Sequence, residues 1–166
     1  MTTYIPQGPL KLKRFNGQSI ETMMIQNYET VLSLIEHLES VGGKSHTVLP
    51  HAKWLVEQGE TRKSKVMCYF CKDKPIQNFL VIFIKATGEM RISIQDTCCD
   101  DDRCRERLMS SEQFHPHNLL PLRFSSIVKF PHTKHRKRVL ELFRQVFGIK
   151  SANGQTLFQF FKDQEQ

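Results

Sequence analysis

Five cysteines fall between positions 68 and 104 of a chain of 166 residues, and no other feature restricts its fold so strongly. Cys68-Tyr69-Phe70-Cys71 is a knuckle. This spacing lets both thiolates face one ion about 2.3 Å away. The second group is Cys98, Cys99 and Cys104, and a β-hairpin pattern lies between the two groups. Gln77 to Lys85 and Glu89 to Gln95 are rich in Val, Ile and Phe and are joined around Ala86-Thr87-Gly88. Folding there sets residues just before Gln77 opposite those just after Gln95, so Cys98 and Cys99 return to Cys71. Cys104 follows one short turn later.

The expected result is a zinc-ribbon-like site held by Cys68, Cys71, Cys99 and Cys104. Cys98, His115 or His117 is the alternative for one of these positions. A buried free thiol is the usual reading of a lone cysteine, but five in this arrangement favour a metal, and the odd count leaves one spare. Asp100-Asp101-Asp102 reads as a solvated acidic turn, because consecutive carboxylates do not all point inward and no glycine-punctuated calcium loop is present.

The metal reading agrees with a reducing compartment, where disulfides are scarce. Met1 to Phe15 mixes Pro, Gly and Lys without the apolar stretch of a signal peptide. The longest apolar run, Phe79 to Ile84, is far short of the roughly 18 residues a membrane span needs. The expectation is an intracellular protein of cytoplasm or nucleus with no membrane partner.

The periodicity gives an α+β class, a small antiparallel sheet of three or more strands with flanking helices. Residues 1–18, with Pro6, Gly8, Pro9, Lys11, Lys13 and Arg14, read as a basic flexible arm, and 19–166 as a single domain. Ser19 caps a long helix predicted to reach Val41, and a shorter one follows Thr47 and ends near Gly59. Val66 to Cys71 reads as a strand, Asp100 to Met109 as a short helix, and Leu119 to Phe130 as extended chain at a sheet edge because of Pro121. Thr133 to Phe147 is a helix closed by Gly148. Asn153-Gly154 reads as a turn and Thr156 to Phe161 as an apolar tail that adds a strand or packs on the core.

A net charge of +7 favours anionic partners. Its densest stretch lies at the start of the Thr133 helix, where cations oppose the macrodipole but free N–H groups attract phosphates. The candidate phosphate contacts are Arg62, Lys63, Lys65, Lys134, Arg136, Lys137 and Arg138, with Tyr69 and Phe70 as possible stacking surfaces for bases. Enzyme motifs are missing: Gly42-Gly43-Lys44-Ser45 is only the tail of a phosphate loop, and His46, His51, His132 and His135 belong to no recognisable constellation. The sequence therefore points to a non-enzymatic, zinc-stabilised protein that binds RNA or DNA as a regulatory or accessory factor. The alternative is a zinc-containing protein-interaction module, as in a viral accessory factor, without nucleic-acid contact.

Overall fold

A computed structural model describes residues 4–42, 47–110, 117–130 and 132–163, and of His117 the backbone alone. The chain forms two compact units, residues 1–62 with 149–166 and residues 63–148. No helix among the described residues is long and apolar enough to cross a membrane.

The first unit is helical. Its leading segment closes a loop through a bridge between Lys11 and Ser19, with a 3-10 turn at Lys13–Phe15 and Phe15 buried. Helix α1 spans Ile20–Gln26, α2 Tyr28–Ser40 and α3 Val48–Thr61. Ser19 caps α1 by accepting from the Thr22 amide, as its position predicts. The single helix expected from Ser19 to Val41 is instead broken at Asn27, which has φ −154° and ψ 73°. Asn is a weak helix former, and apolar spacing runs straight through the break, so periodicity alone does not reveal it. The break leaves α1 buried on several sides, at Ile20, Glu21, Thr22, Met24 and Ile25, while α2 buries the stripe Tyr28, Val31 and Leu34.

The C-terminal tail adds no strand. Asn153 caps helix α6, Gly154–Lys162, by accepting from the Thr156 amide at 2.8 Å. Leu157, Phe158, Phe160 and Phe161 of α6 enter the core of this unit, a helical i, i+1, i+3, i+4 set.

The second unit carries the sheet. Strand β1, Asn78–Ile84, is central because its apolar run is buried on both faces from Phe79 to Ile82. On one side it pairs antiparallel with β2, Glu89–Arg91, and then with the two-residue β3, Thr97–Cys98. On the other side it pairs with β4, His117–Pro121. The α+β class with an antiparallel sheet is the one the sequence indicates.

Three expected stretches of extended chain are shorter. Val66 to Cys71 is a turn, because its backbone closes on itself: Cys68 N donates to Lys74 O and Lys72 N to Cys68 O, each at 2.8 Å. The strand expected to reach Gln95 stops at Arg91, where a 3-10 turn, Ile94–Asp96, takes over. Ser93 Oγ donates to Asp96 Oδ2 at 2.6 Å and Thr97 Oγ1 to Ile94 O at 2.7 Å, which fixes that turn. Leu119 to Phe130 leaves the sheet after Pro121 and continues as a 3-10 helix, Phe124–Lys129.

Helix α4, Asp102–Ser110, follows β3, and α5, Thr133–Phe147, ends at Gly148 in the left-handed region at φ 70°, a conformation open to glycine at little cost. Phe143 of α5 is the centre of an aromatic cluster, edge-on to Phe79 of β1 at 5.9 Å, to Phe124 at 5.6 Å and to Phe147 at 5.5 Å.

Candidate metal centre

The hairpin register delivers the second cysteine group to the first. Ile82 pairs with Arg91, so an unbroken ladder would set Phe79 opposite Ile94, yet Phe79 pairs with Thr97. The 3-10 turn has absorbed three residues and moved Cys98 opposite Asn78. Gln77 N donates to Cys98 O at 2.9 Å and Asn78 Nδ2 to Cys99 O at 3.2 Å, which anchors this limb beside the knuckle.

The sulfurs of Cys68, Cys71, Cys99 and Cys104 all lie within 4.8 Å of one another. Cys71 Sγ and Cys99 Sγ are 3.7 Å apart. Sulfurs arranged tetrahedrally at about 2.3 Å from a zinc ion would be about 3.8 Å apart, so the cluster is already near the size of a four-thiolate site. Cys68, Cys99 and Cys104 are buried and Cys71 is exposed, so the centre sits just under the surface with one corner toward solvent.

The backbone around each limb favours thiolate. The amides of Asp73 and Lys74 donate to Cys71 Sγ and, with Cys99 and Cys68, hold its pKa down to about 7. Lys72 takes a left-handed φ of 57°, which turns the chain so that those amides face the sulfur. The Asp101 amide donates to Cys99, although burial outweighs it and raises that thiol's pKa. Burial likewise raises Cys104, which lies in the first turn of α4, where the positive end of the helix dipole offsets part of the cost of a thiolate. Lys74 Nζ and Asp101 Oδ2, 3.3 Å apart, join the two limbs at the surface.

Cys98 stands outside the cluster, and burial pushes its thiol up to about 12. The reason is the pleat: adjacent residues of an extended chain point to opposite faces, so Cys99 faces the knuckle and Cys98 does not. His115 lies outside the described residues. The backbone of His117 pairs with Ile82, four positions along β1 from the Asn78 that faces Cys98.

The candidate basic residues differ in what their side chains meet. Arg62 is buried, its guanidinium 3.5 Å from the centroid of the Phe160 ring and donating to Phe160 O. Burial lowers its pKa to about 10, against the opposing charge of Asp163. Its long apolar stem and planar head suit it to core packing against an aromatic, and this removes it from a solvent-facing phosphate set. Arg138 donates to Met90 O in β2, and Arg136 Nε to Phe130 O at 3.3 Å, so both heads are tied to backbone. Lys63, Lys65, Lys134 and Lys137 are exposed. At the start of α5 no acidic residue occupies the first turn. His135 packs against His132 and Phe83, and burial, aided by the charges of His132, Lys134 and Arg138, lowers its pKa. Tyr69 is 76% exposed at the tip of the knuckle, edge-on to Phe70, over which Arg107 lies at 5.8 Å.

A second polar constellation is absent from the sequence motifs. In the helical unit His51 Nε2 lies 2.6 Å from Glu21 Oε1, and Tyr4 Oη lies 2.8 Å from His51 Nδ1. The available signal is Glu21 itself, which shares the i, i+3, i+4, i+7 face with Met24, Ile25 and Tyr28, a carboxylate at a core position. His46 and the Gly43-Lys44-Ser45 stretch lie outside the described residues. Comparison of the chain with family models, with curated proteins and with solved structures gave no match.

Proposed function

We propose that the four-cysteine cluster holds one structural zinc ion and that the unit it organises binds nucleic acid through cations on its surface. The fit of the four sulfurs to a tetrahedral thiolate site carries the first half. Four thiolates suit zinc or an iron centre, and zinc needs no redox partner. With all four positions filled by protein, no site is left for a reacting water, so the role is structural. The second half rests on charge: the chain is basic, and Lys134 and Lys137 are exposed at the start of α5, where the His132 side chain does not cap the helix.

Elemental analysis of freshly purified protein is expected to give one zinc per chain, and substoichiometric metal in folded protein would remove the basis of the reading. Binding of mixed single- and double-stranded oligonucleotides, followed by fluorescence anisotropy, is expected to weaken steeply with salt. Lys134→Glu with Lys137→Glu leaves the tethered Arg136 and Arg138 in place and should flatten the log–log salt slope by about 0.7–0.9 per lost phosphate contact. The same substitutions place negative charge at a helix N-terminus, where each gains about 0.3–1 kcal/mol, so the melting temperature should hold or rise.

The rival reading is a protein-interaction module, favoured by Met67, 47% exposed, and Tyr69 at the knuckle tip. Unchanged affinity and salt slope in the double variant would move that reading ahead.

A further inference from the structure

A buried carboxylate–imidazole pair is costly unless fully hydrogen-bonded, and an apolar pair of similar volume often serves stability as well or better. Glu21 and His51 are 0% and 1% exposed. Glu21 also accepts from the Leu10 amide at 3.3 Å. The His51 ring is boxed by Tyr4, Trp54 and Phe158, with centroids 5.8, 5.7 and 6.3 Å away. These contacts hold the ring in position, and in the neutral imidazole a carboxylate that only accepts puts the proton on Nε2 and leaves Nδ1 to accept from the Tyr4 hydroxyl. Tyr4 and His51 line an open cavity of about 510 Å³.

From this geometry we propose that Tyr4, His51 and Glu21 form a nucleophilic site for a small neutral acyl ester. The order hydroxyl, imidazole, carboxylate is that of an activated nucleophile, base and orienting group. Tyr4 Oη attacks the acyl carbon as its proton passes to His51 Nδ1. The resulting imidazolium is held by Glu21. Collapse of the tetrahedral intermediate breaks the bond to the leaving alkoxide, which takes the proton from Nδ1 and departs as the alcohol. Water, deprotonated by the same nitrogen, then cleaves the acyl-tyrosine and restores the hydroxyl.

The cavity selects the substrate class. Its lining among the described residues holds Gln7 and Thr47 as polar side chains beside Tyr4 and His51, and no Lys or Arg. A phosphate ester would meet no counter-charge among these residues and would lie near the Glu21 carboxylate, whereas a neutral ester pays no such cost. Burial and the Glu21 charge raise the Tyr4 pKa, so the proton must leave during attack, the task of a base already in contact.

The chain supplies its own controls. Tyr69 is more exposed than Tyr4 and has Phe70, not a His, as its ring neighbour among the described residues, and Tyr28 donates to Glu60 at 2.8 Å from within the core. p-Nitrophenyl acetate is added to the full chain, the reaction is quenched in acid, and acetyl groups are located by peptide mass spectrometry. Acetylation of Tyr4 is expected to exceed that of Tyr69 by about 10²-fold or more, the usual scale of general-base assistance. Equal or faster labelling of Tyr69 overturns the proposal without any variant. Tyr4→Phe should abolish the burst of nitrophenol, and a burst that persists overturns the proposal as well. Glu21 is a positioning residue: in Glu21→Gln the amide can donate to Nε2, which transfers the ring proton to Nδ1 and removes the base. The ¹⁵N shifts of the His51 ring should report that change of tautomer together with the loss of Tyr4 labelling. Full labelling after the tautomer has changed would overturn the assignment of His51 as base.

Discussion

Chelation of the proposed zinc ion is expected to unfold the unit formed by residues 63–148. A structural zinc site is worth about 10–16 kcal/mol of apparent binding free energy in zinc-finger peptides, comparable to the roughly 5–15 kcal/mol net stability of a whole domain. The sulfurs come from the knuckle, the residue after β3 and the first turn of α4, segments with few backbone bonds of their own: β3 is two residues long and the knuckle is a turn. Without the ion, nothing covalent or metallic replaces the link. Amide exchange at Cys68, Lys72 and Gln77, whose N–H groups anchor the two limbs, should rise to that of unfolded chain. Cys68→Ser should act like the chelator and lose the metal. Cys98→Ala should cost on the order of 1 kcal/mol and keep the metal, since it removes only a small buried side chain. Equal metal loss in the two variants would place Cys98 in the ligand set and refute the assignment made from the pleat.

The second large effect is expected in the other unit. His51→Leu leaves the Glu21 carboxylate buried with the Leu10 amide as its remaining partner among the contacts described, and removing one member of a buried pair costs about 3–5 kcal/mol. Glu21→Met with His51→Leu removes both polar groups at similar volume and should recover most of that loss. The coupling energy from the four proteins, read by urea denaturation, should therefore be large and of opposite sign to the single effects. Additive losses would mean that the pair is not a unit, and the acyl-transfer reading would lose its structural basis. Recovery of stability without recovery of Tyr4 acetylation would separate chemistry from packing.

Residue spacing carried most of the cysteine cluster. A two-residue knuckle, a hairpin and a second cysteine group meet because a β-turn reverses the chain at a fixed place, and that is local information. The same holds for α5, whose apolar stripe and closing glycine lie within one stretch of sequence, and for the Ser19 and Thr47 helix starts. What the spacing left open was which of Cys98 and Cys99 faces the knuckle. That was decided by the pleat and by the three-residue shift at the Ile94–Asp96 turn, which depends on Ser93, Asp96 and Thr97 hydrogen bonds rather than on apolar pattern.

The features fixed only in three dimensions share one cause, a partner distant in sequence. Arg62 reads as a phosphate contact beside Lys63 and Lys65, but the Phe160 ring, 98 residues away, takes its guanidinium. Arg138 belongs to a cationic run until the Met90 carbonyl of β2 engages it. The tail from Thr156 to Phe161 suits a strand as well as a helix by composition, and the Asn153 cap with burial of Leu157, Phe158, Phe160 and Phe161 selects the helix. Glu21 and His51, 30 residues apart, look unremarkable alone and become a chemical group only when α1 and α3 set them 2.6 Å apart. Sequence by itself determined the α+β class, helix α5 and the meeting of the two cysteine groups, because periodicity and spacing are local. Tertiary structure decided which charges face solvent and which are spent inside, because a buried polar group must find its hydrogen-bond partner wherever the fold provides one.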